Sequence, residues 1–221
     1  MNIHDVITDN MFNYAHTIVP LNRVVYPWEF LAHIHEFILA WKPSDDSFFD
    51  LGGARWVHRT ARIDGSAKID GPCIIGANTE VRQCGFIRGD AIVGECCVVG
   101  NSTELKNVIL FDGVQVPHYN YVGDSILGYK SHMGAGAVTS NVKSDKTEVC
   151  IHCGESRIPT GYKKMGAILG DYVEVGCNCV LNPGTIVGRN TNIYPLSSVR
   201  GIVPANSIYK TAEKIIFKRN R

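Results

Sequence analysis

The stretch VHRTARIDGSAKIDGPCIIGANTEVRQCGFIRGDAIVGECCVVGNSTELKNVILF, residues 57–111, carries an aliphatic or aromatic side chain at every sixth position: Val57, Ile63, Ile69, Ile75, Val81, Ile87, Val93, Val99, Leu105 and Phe111. Neither an α-helix, with 3.6 residues per turn, nor a simple strand, with a period of two, produces a repeat of six. A hexapeptide coil does.

Four residues after each anchor comes a small residue, as at Ala61, Ala67, Cys73, Thr79, Gly85, Ala91, Cys97 and Thr103. Anchor and small residue are expected to point inward together. A turn-competent residue follows many anchors, as at Asp64, Gly76, Gly94, Gly100 and Asp112, where a tight corner requires one. The pattern resumes at Leu169, Val175, Leu181, Val187, Ile193 and Val199. Three hexads complete one triangular coil, so residues 18 apart stack at about 4.8 Å, the ordinary strand separation. The fold class predicted is an all-β solenoid: a left-handed parallel β-helix with an N-terminal helical segment, a protruding hairpin and a short C-terminal helix.

The 221 residues are 45% hydrophobic and carry a formal net charge of +1. That suffices for one main core and gives no sign of a nucleic-acid or acidic-membrane partner. No apolar run reaches the roughly 18 residues that cross a bilayer, and residues 1–10 lack the blocks of a signal peptide. A soluble, cytoplasmic protein is expected. Eight cysteines raise zinc or disulfides, with Cys150-x-x-Cys153 and Cys177-x-Cys179 as the closest pairs. Cys73, Cys97 and Cys179, however, occupy small inward positions, where cysteine packs as a compact apolar residue.

Three regions are expected: a helical segment over 1–50, the coil over 51–210 with an excursion at 142–164, and a helical tail over 211–221. Pro27 opens a helix whose stripe is Leu31, Ile34, Ile38 and Trp41, ending before Pro43. Past Phe111 the spacing is disturbed: Pro117 takes an anchor position, and the hexad from Val122 to Leu127 is one residue short. Thr147 to Ile151 and Arg157 to Thr160 read as two strands around Cys153-Gly154-Glu155. Long excursions from a rigid scaffold often carry function.

Coil geometry also stacks charges. Arg88 and Lys106 are expected one above the other with Asp70 below, and His118 two coils from Arg82 with Gly100 between. Two cations at adjacent corners suit a small anion such as a phosphate; alternatively they solvate a surface and pair with Asp70. An imidazole is the side chain suited to moving a proton near neutral pH, although a histidine beside Tyr119 and Tyr121 is also a common structural feature.

The segments FIRG (86–89), ELKN (104–107), HYNYVGDS (118–125) and MGAGAVTSN (133–141) resemble the acetyltransferase half of the bifunctional enzymes that make UDP-N-acetylglucosamine, which acetylates glucosamine-1-phosphate with acetyl-CoA. The resemblance implies His118 as general base, Ala135 as the backbone N–H facing the thioester oxygen, and Arg88, Lys106 and Tyr121 as sugar-phosphate ligands. Asn141 falls at the junction of substrate and acyl donor, and Ala135, Cys177 and Pro195 fall along the donor. YPWE (26–29) resembles the linker of related two-domain sugar-1-phosphate enzymes, and GYKKMG (161–166) a basic motif of some relatives. The chain also departs from the pattern. His132 stands where the family has a sugar-touching asparagine, Val142 replaces a tyrosine, and Lys164 is the candidate for a displaced phosphate-binding lysine. The glycine-rich nucleotide-binding motif of the pyrophosphorylase half is absent, so no pyrophosphorylase activity is expected.

The activity implied is metal-free transfer of acetyl from acetyl-CoA to the amine of an amino sugar-1-phosphate, within a homotrimer, with a separate nucleotidyltransferase as a possible partner. Two alternatives stand beside it. One is a non-catalytic sugar-nucleotide-binding or scaffolding module. The other is a zinc hydratase of the carbonic-anhydrase type that shares this fold, which needs three histidines converging between subunits; His118, His132 and His152 do not show the close histidine pair that such a site uses.

Overall fold

The computed structural model describes residues 7–153 and 156–219. Short parallel strands are wound into a solenoid with three faces, the left-handed β-helix class that the hexads predict. The first face stacks Arg55–His58, Cys73–Ile75, Ala91–Val93, the end of Glu104–Leu110, the end of Tyr121–Leu127, Ala167–Leu169, Thr185–Val187 and Ile202–Val203. The second carries Arg62–Ile63, Glu80–Val81, Val98–Asn101, Gln115–His118, His132–Met133, Glu174–Val175, Asn192–Ile193 and Ser207–Thr211. The third carries Lys68–Ile69, Phe86–Ile87, the starts of Glu104–Leu110 and Tyr121–Leu127, Val138–Thr139, Val180–Leu181 and Ser198–Val199.

Anchors from Ile75 to Leu105, and from Leu169 to Val199, are buried as predicted. The expected anchors Phe111 and Pro117 are not anchors. Val93 pairs with Leu110 and Val99 with Val116, so this coil has 17 residues and the inward positions are Leu110 and Val116. The cause is a tighter corner. Where Arg88-Gly89-Asp90 turns one coil, Lys106-Asn107 turns the next with Asn107 at φ 53°, and Gly123-Asp124 turns the one after with Asp124 at φ 48°. Phe111 faces outward and packs on Phe12, ring centroids 4.8 Å apart.

The first face is buried on both sides. Its outward positions form an isoleucine ladder, Ile74, Ile92, Ile109, Ile126, Ile168 and Ile186, all buried. The N-terminal segment covers it with Met11, Leu21, Trp28, Ile34 and Ile38. Each such side chain contributes about 1.5–3 kcal/mol when removed from water. The expected single helix is a 3₁₀ stretch, Pro27–His33, running into an α-helix, Ile34–Ala40. Glu29 closes its first turn by accepting from the Tyr26 N–H at 3.0 Å.

The excursion contains an antiparallel pair, Cys150–Cys153 with Ser156–Pro159; Gly154 and Glu155, in the expected turn, lie outside the described residues. Rather than protruding freely, the pair lays Val149 and Ile151 on the coil at Gly184, where a Cβ would lie 2.8 Å from Val149 Cγ1. The expected C-terminal helix is instead a hairpin, Ser207–Thr211 with Lys214–Phe217. Ile215, Ile216 and Phe217 favour extended backbone, and the last coil offers an open edge to pair with. No helix among the described residues is long and apolar enough to cross a membrane.

Candidate active site

Lys106 follows Leu105, which pairs with Ile87, and the Arg88 N–H donates to the Leu105 carbonyl at 2.8 Å. Arg88 and Lys106 are therefore adjacent in one column, at the corner between the third and first faces, as expected. Asp70 lies below but pairs with Lys68, at 3.4 Å. The cations have carboxylates of their own: Arg88 Nη1 meets Glu104 Oε1 at 3.0 Å, and Lys106 Nζ meets Asp124 Oδ1 at 3.3 Å.

Asp124 organises this corner and was not singled out from the sequence. It is buried, and it accepts from Lys106, from Asn107 Nδ2 at 3.0 Å and from Asn141 Nδ2. The shortened corners bring these groups together; a count of 17 rather than 18 residues links Asp124 to both asparagines. Asn141 also donates to the Tyr121 phenol oxygen at 3.2 Å. The phenol lies over Gly123, where a Cβ would sit 2.5 Å from Tyr121 Oη. Burial, then the carboxylates of Asp124 and Glu104, raise the phenol's pKa and keep it a neutral donor. Lys164 is exposed and bridges to Val142, and the Met165 N–H donates to the Asn141 carbonyl at 3.0 Å. It thus flanks the same corner.

His118 lies at the other edge of the third face, with Tyr121 between. Its expected stacking on Arg82 fails because of the lost residue: His118 pairs with Asn101, and Pro117 occupies the place above Gly100. The imidazole is exposed. Continuing the Gln115↔His132 register sets Ala135 beside His118, and the Gly136 N–H donates to the His118 carbonyl at 3.0 Å. The Ala135 N–H has no acceptor among the described residues. The next coils add Cys177 and Pro195 to the column, both exposed. Below, buried Asn120 ties the corner down, donating to the Gly134 and Ala137 carbonyls at 2.9 Å each and accepting from the His118 N–H at 3.1 Å.

His132 is not part of this wall. It lies on the second face, its Nδ1 2.9 Å from Glu174 Oε2, in a cavity of about 510 Å³ with Cys96, Gln115, Lys130 and Tyr172. His152 is on the inserted pair, so within one chain the three histidines weighed for zinc lie on different strands. Among the described residues no cluster of three or more His, Cys, Asp or Glu side chains could hold a metal ion. Cys73, Cys97 and Cys179 are buried as expected.

Coil, basic wall and imidazole column together define a hexapeptide-repeat β-helix protein. A family model described as the GMPPB C-terminal domain matches residues 69–195, more than half of the sequence; the chain belongs to that family. Among curated relatives it is 33% identical over 106 residues to a bifunctional sugar-1-phosphate nucleotidylyltransferase/acetyltransferase of Sulfurisphaera tokodaii, covering 48% of this chain and 26% of the relative. It is 31% identical over 136 residues to the bifunctional protein GlmU of Methanococcus vannielii, covering 61% and 33%, and 35% identical over 134 residues to that of Caldanaerobacter subterraneus, covering 61% and 26%. The chain spans about a quarter to a third of the length of these relatives.

Proposed function

We propose that this chain transfers an acetyl group from acetyl-CoA to the amine of an amino sugar-1-phosphate of the glucosamine-1-phosphate type, as a step in nucleotide-sugar synthesis. The observation that carries the reading is the register of His118, Ala135, Cys177 and Pro195 in one column, three of them exposed and Ala135 half-buried, with, beside His118, an Ala135 N–H that has no acceptor among the described residues. His118 takes the amine's proton as the amine attacks the thioester carbonyl, the Ala135 N–H receives the developing oxyanion, and collapse of that intermediate expels the CoA thiolate. A positioned base is worth about 10²- to 10⁴-fold in rate, and an oxyanion donor about 3 kcal/mol. Arg88, Lys106, Tyr121, Asn141 and Lys164 hold the sugar phosphate, and Cys177 and Pro195 flank the acyl donor. No step needs a metal, and no pyrophosphorylase activity is proposed.

The wall is open on its outer side, and His132 belongs to a different face. A closed homotrimer, in which a neighbour's second face meets this wall, would complete the pocket. Sedimentation equilibrium at micromolar concentration tests it: a monomer contradicts the trimer. A cytoplasmic setting goes with acetyl-CoA as donor, and a nucleotidyltransferase is the proposed partner. CoA release from acetyl-CoA, assayed with a panel of amino sugar-1-phosphates and sugar nucleotides, tests the activity.

One observation favours a second reading, a sugar-nucleotide-binding or scaffolding module without catalysis: Arg88 and Lys106 already have carboxylate partners in the chain. Calorimetric titration with acetyl-CoA separates the two, since a pure sugar binder gives no heat.

A further inference from the structure

Between the inserted strand pair and the upper coils lies a cleft of about 520 Å³, within the range of small-molecule sites. The inserted segment lines it with Cys150, His152 and Arg157, and the coil with Pro183, Arg200 and Ile202. Lys143 also lines it, and among the described residues no Asp or Glu does.

Its basic side chains come from the insertion and from the coil. His152 and Arg157 are directly opposite across the strand pair, so both heads lie on one face of it. The Arg157 side chain makes no ion pair or hydrogen bond among the described residues. Among the described residues Arg200 has only the neutral Asn182 Oδ1, 3.2 Å from its Nη2. Lys143 is partly neutralised by Asp145, 3.6 Å away at the rim. Two guanidinium groups that have no carboxylate partner among the described residues line one cleft, an arrangement whose natural complement is phosphate, because the planar fork donates to two oxygens at once. Pro183, Gly184, Gly201 and Ile202 add an uncharged floor.

An adjoining cavity, of about 290 Å³, shares Lys143, Pro183 and Arg200 with the cleft and reaches Ser140 and Val142. These two residues flank Asn141, so the cleft opens toward the corner that holds Lys106 and Asp124.

From this we infer that the cleft binds a nucleoside diphosphate group, with Arg157 and Arg200 on its phosphates and the apolar floor under its base or ribose. Both a sugar nucleotide and CoA carry such a group. The inference does not require acetyl transfer at His118.

The test is calorimetric titration of the full chain with UDP, inorganic pyrophosphate, CoA and glucosamine-1-phosphate, for the wild type, for Arg157→Gln/Arg200→Gln and for Lys106→Met, with melting temperatures to confirm folding. Removing two charged hydrogen-bonding groups is expected to weaken UDP and pyrophosphate by about tenfold or more, leaving glucosamine-1-phosphate unchanged. Loss confined to CoA would assign the cleft to the acyl donor's diphosphate, which keeps the inference. No binding of UDP, pyrophosphate or CoA at millimolar concentration, or binding equal in wild type and double variant, overturns it. Failure of Lys106→Met to weaken glucosamine-1-phosphate would count against the proposed acceptor site alone.

Discussion

Lys106 and Asp124, in successive coils, form an ion pair at 3.3 Å in which the carboxylate is buried and the ammonium retains some solvent contact. The pair joins the basic column to the hydrogen bonds that orient Asn107 and Asn141. Asp124→Asn removes the charge that faces Lys106 and one acceptor. It is expected to destabilise the fold by about 2 kcal/mol. Urea unfolding of Asp124→Asn, Lys106→Met and the double variant should show coupling of about 1 kcal/mol; additive effects would mean that the contact does not contribute.

Gly123 gives the Tyr121 phenol its resting place. In Gly123→Ala the new methyl group would meet Tyr121 Oη at 2.5 Å, so the ring must swing away and its bond with Asn141 breaks. The expected outcome is a several-fold rise in KM for the sugar phosphate with little change in melting temperature. An unchanged KM would remove Tyr121 from the acceptor site.

Burial pushes the Cys73 and Cys97 thiols up to about 12 from 9.0. Their folded-state values exceed the unfolded ones, so this stability is fully present below pH 9 and is lost as the pH rises toward 12. Each thiol steepens the decline by at most about 1.4 kcal/mol per pH unit, and Tyr121, Tyr162 and Tyr209, also raised by burial, act in the same direction. Denaturant unfolding between pH 8 and 10.5 should show the fall, less steep in Cys97→Ala. In native protein the exposed Cys84, Cys96 and Cys177 should react with a thiol reagent well before Cys73, Cys97 and Cys179.

Gly184 seats the inserted strand pair. It has φ 78°, and a Cβ there would press on Val149 and Ile151. Gly184→Ala is expected to cost about 1–2 kcal/mol from the left-handed backbone alone and to lift the pair, seen as faster proteolytic cleavage within residues 142–164. Cleavage at the wild-type rate would mean that the contact at Gly184 does not hold the insertion down.

The period of six made the coil, its anchors and the Arg88–Lys106 column legible from residue spacing alone. A one-residue loss at Lys106-Asn107 was not legible, because Leu110 and Phe111 are both apolar and either fits the anchor pattern. That slip misplaced His118 relative to Arg82 and hid the contacts of Asp124 with Asn107 and Asn141, each 17 residues away, although Lys106 stands at the expected spacing of 18. The isoleucine ladder was not read from the sequence, although strands apolar at both faces, as in Ala91-Ile92-Val93, signal burial on two sides. The tail was misread as a helix because its pairing partner, Ser207–Thr211, is set by the end of the coil rather than by local sequence. His118, Ala135, Cys177 and Pro195 came from family resemblance, and only the register brings them into one column.

Acetyl transfer at His118 is tested most directly by CoA release from acetyl-CoA with glucosamine-1-phosphate, comparing wild type with His118→Ala. The imidazole is exposed and, among the described residues, only its backbone is hydrogen-bonded into the coil, so the variant should melt at the wild-type temperature. Turnover by the wild type and a loss of about 10²- to 10⁴-fold in the variant is the predicted result; equal turnover in the two, or no acetyl transfer by the wild type to any amino sugar-1-phosphate, would contradict it.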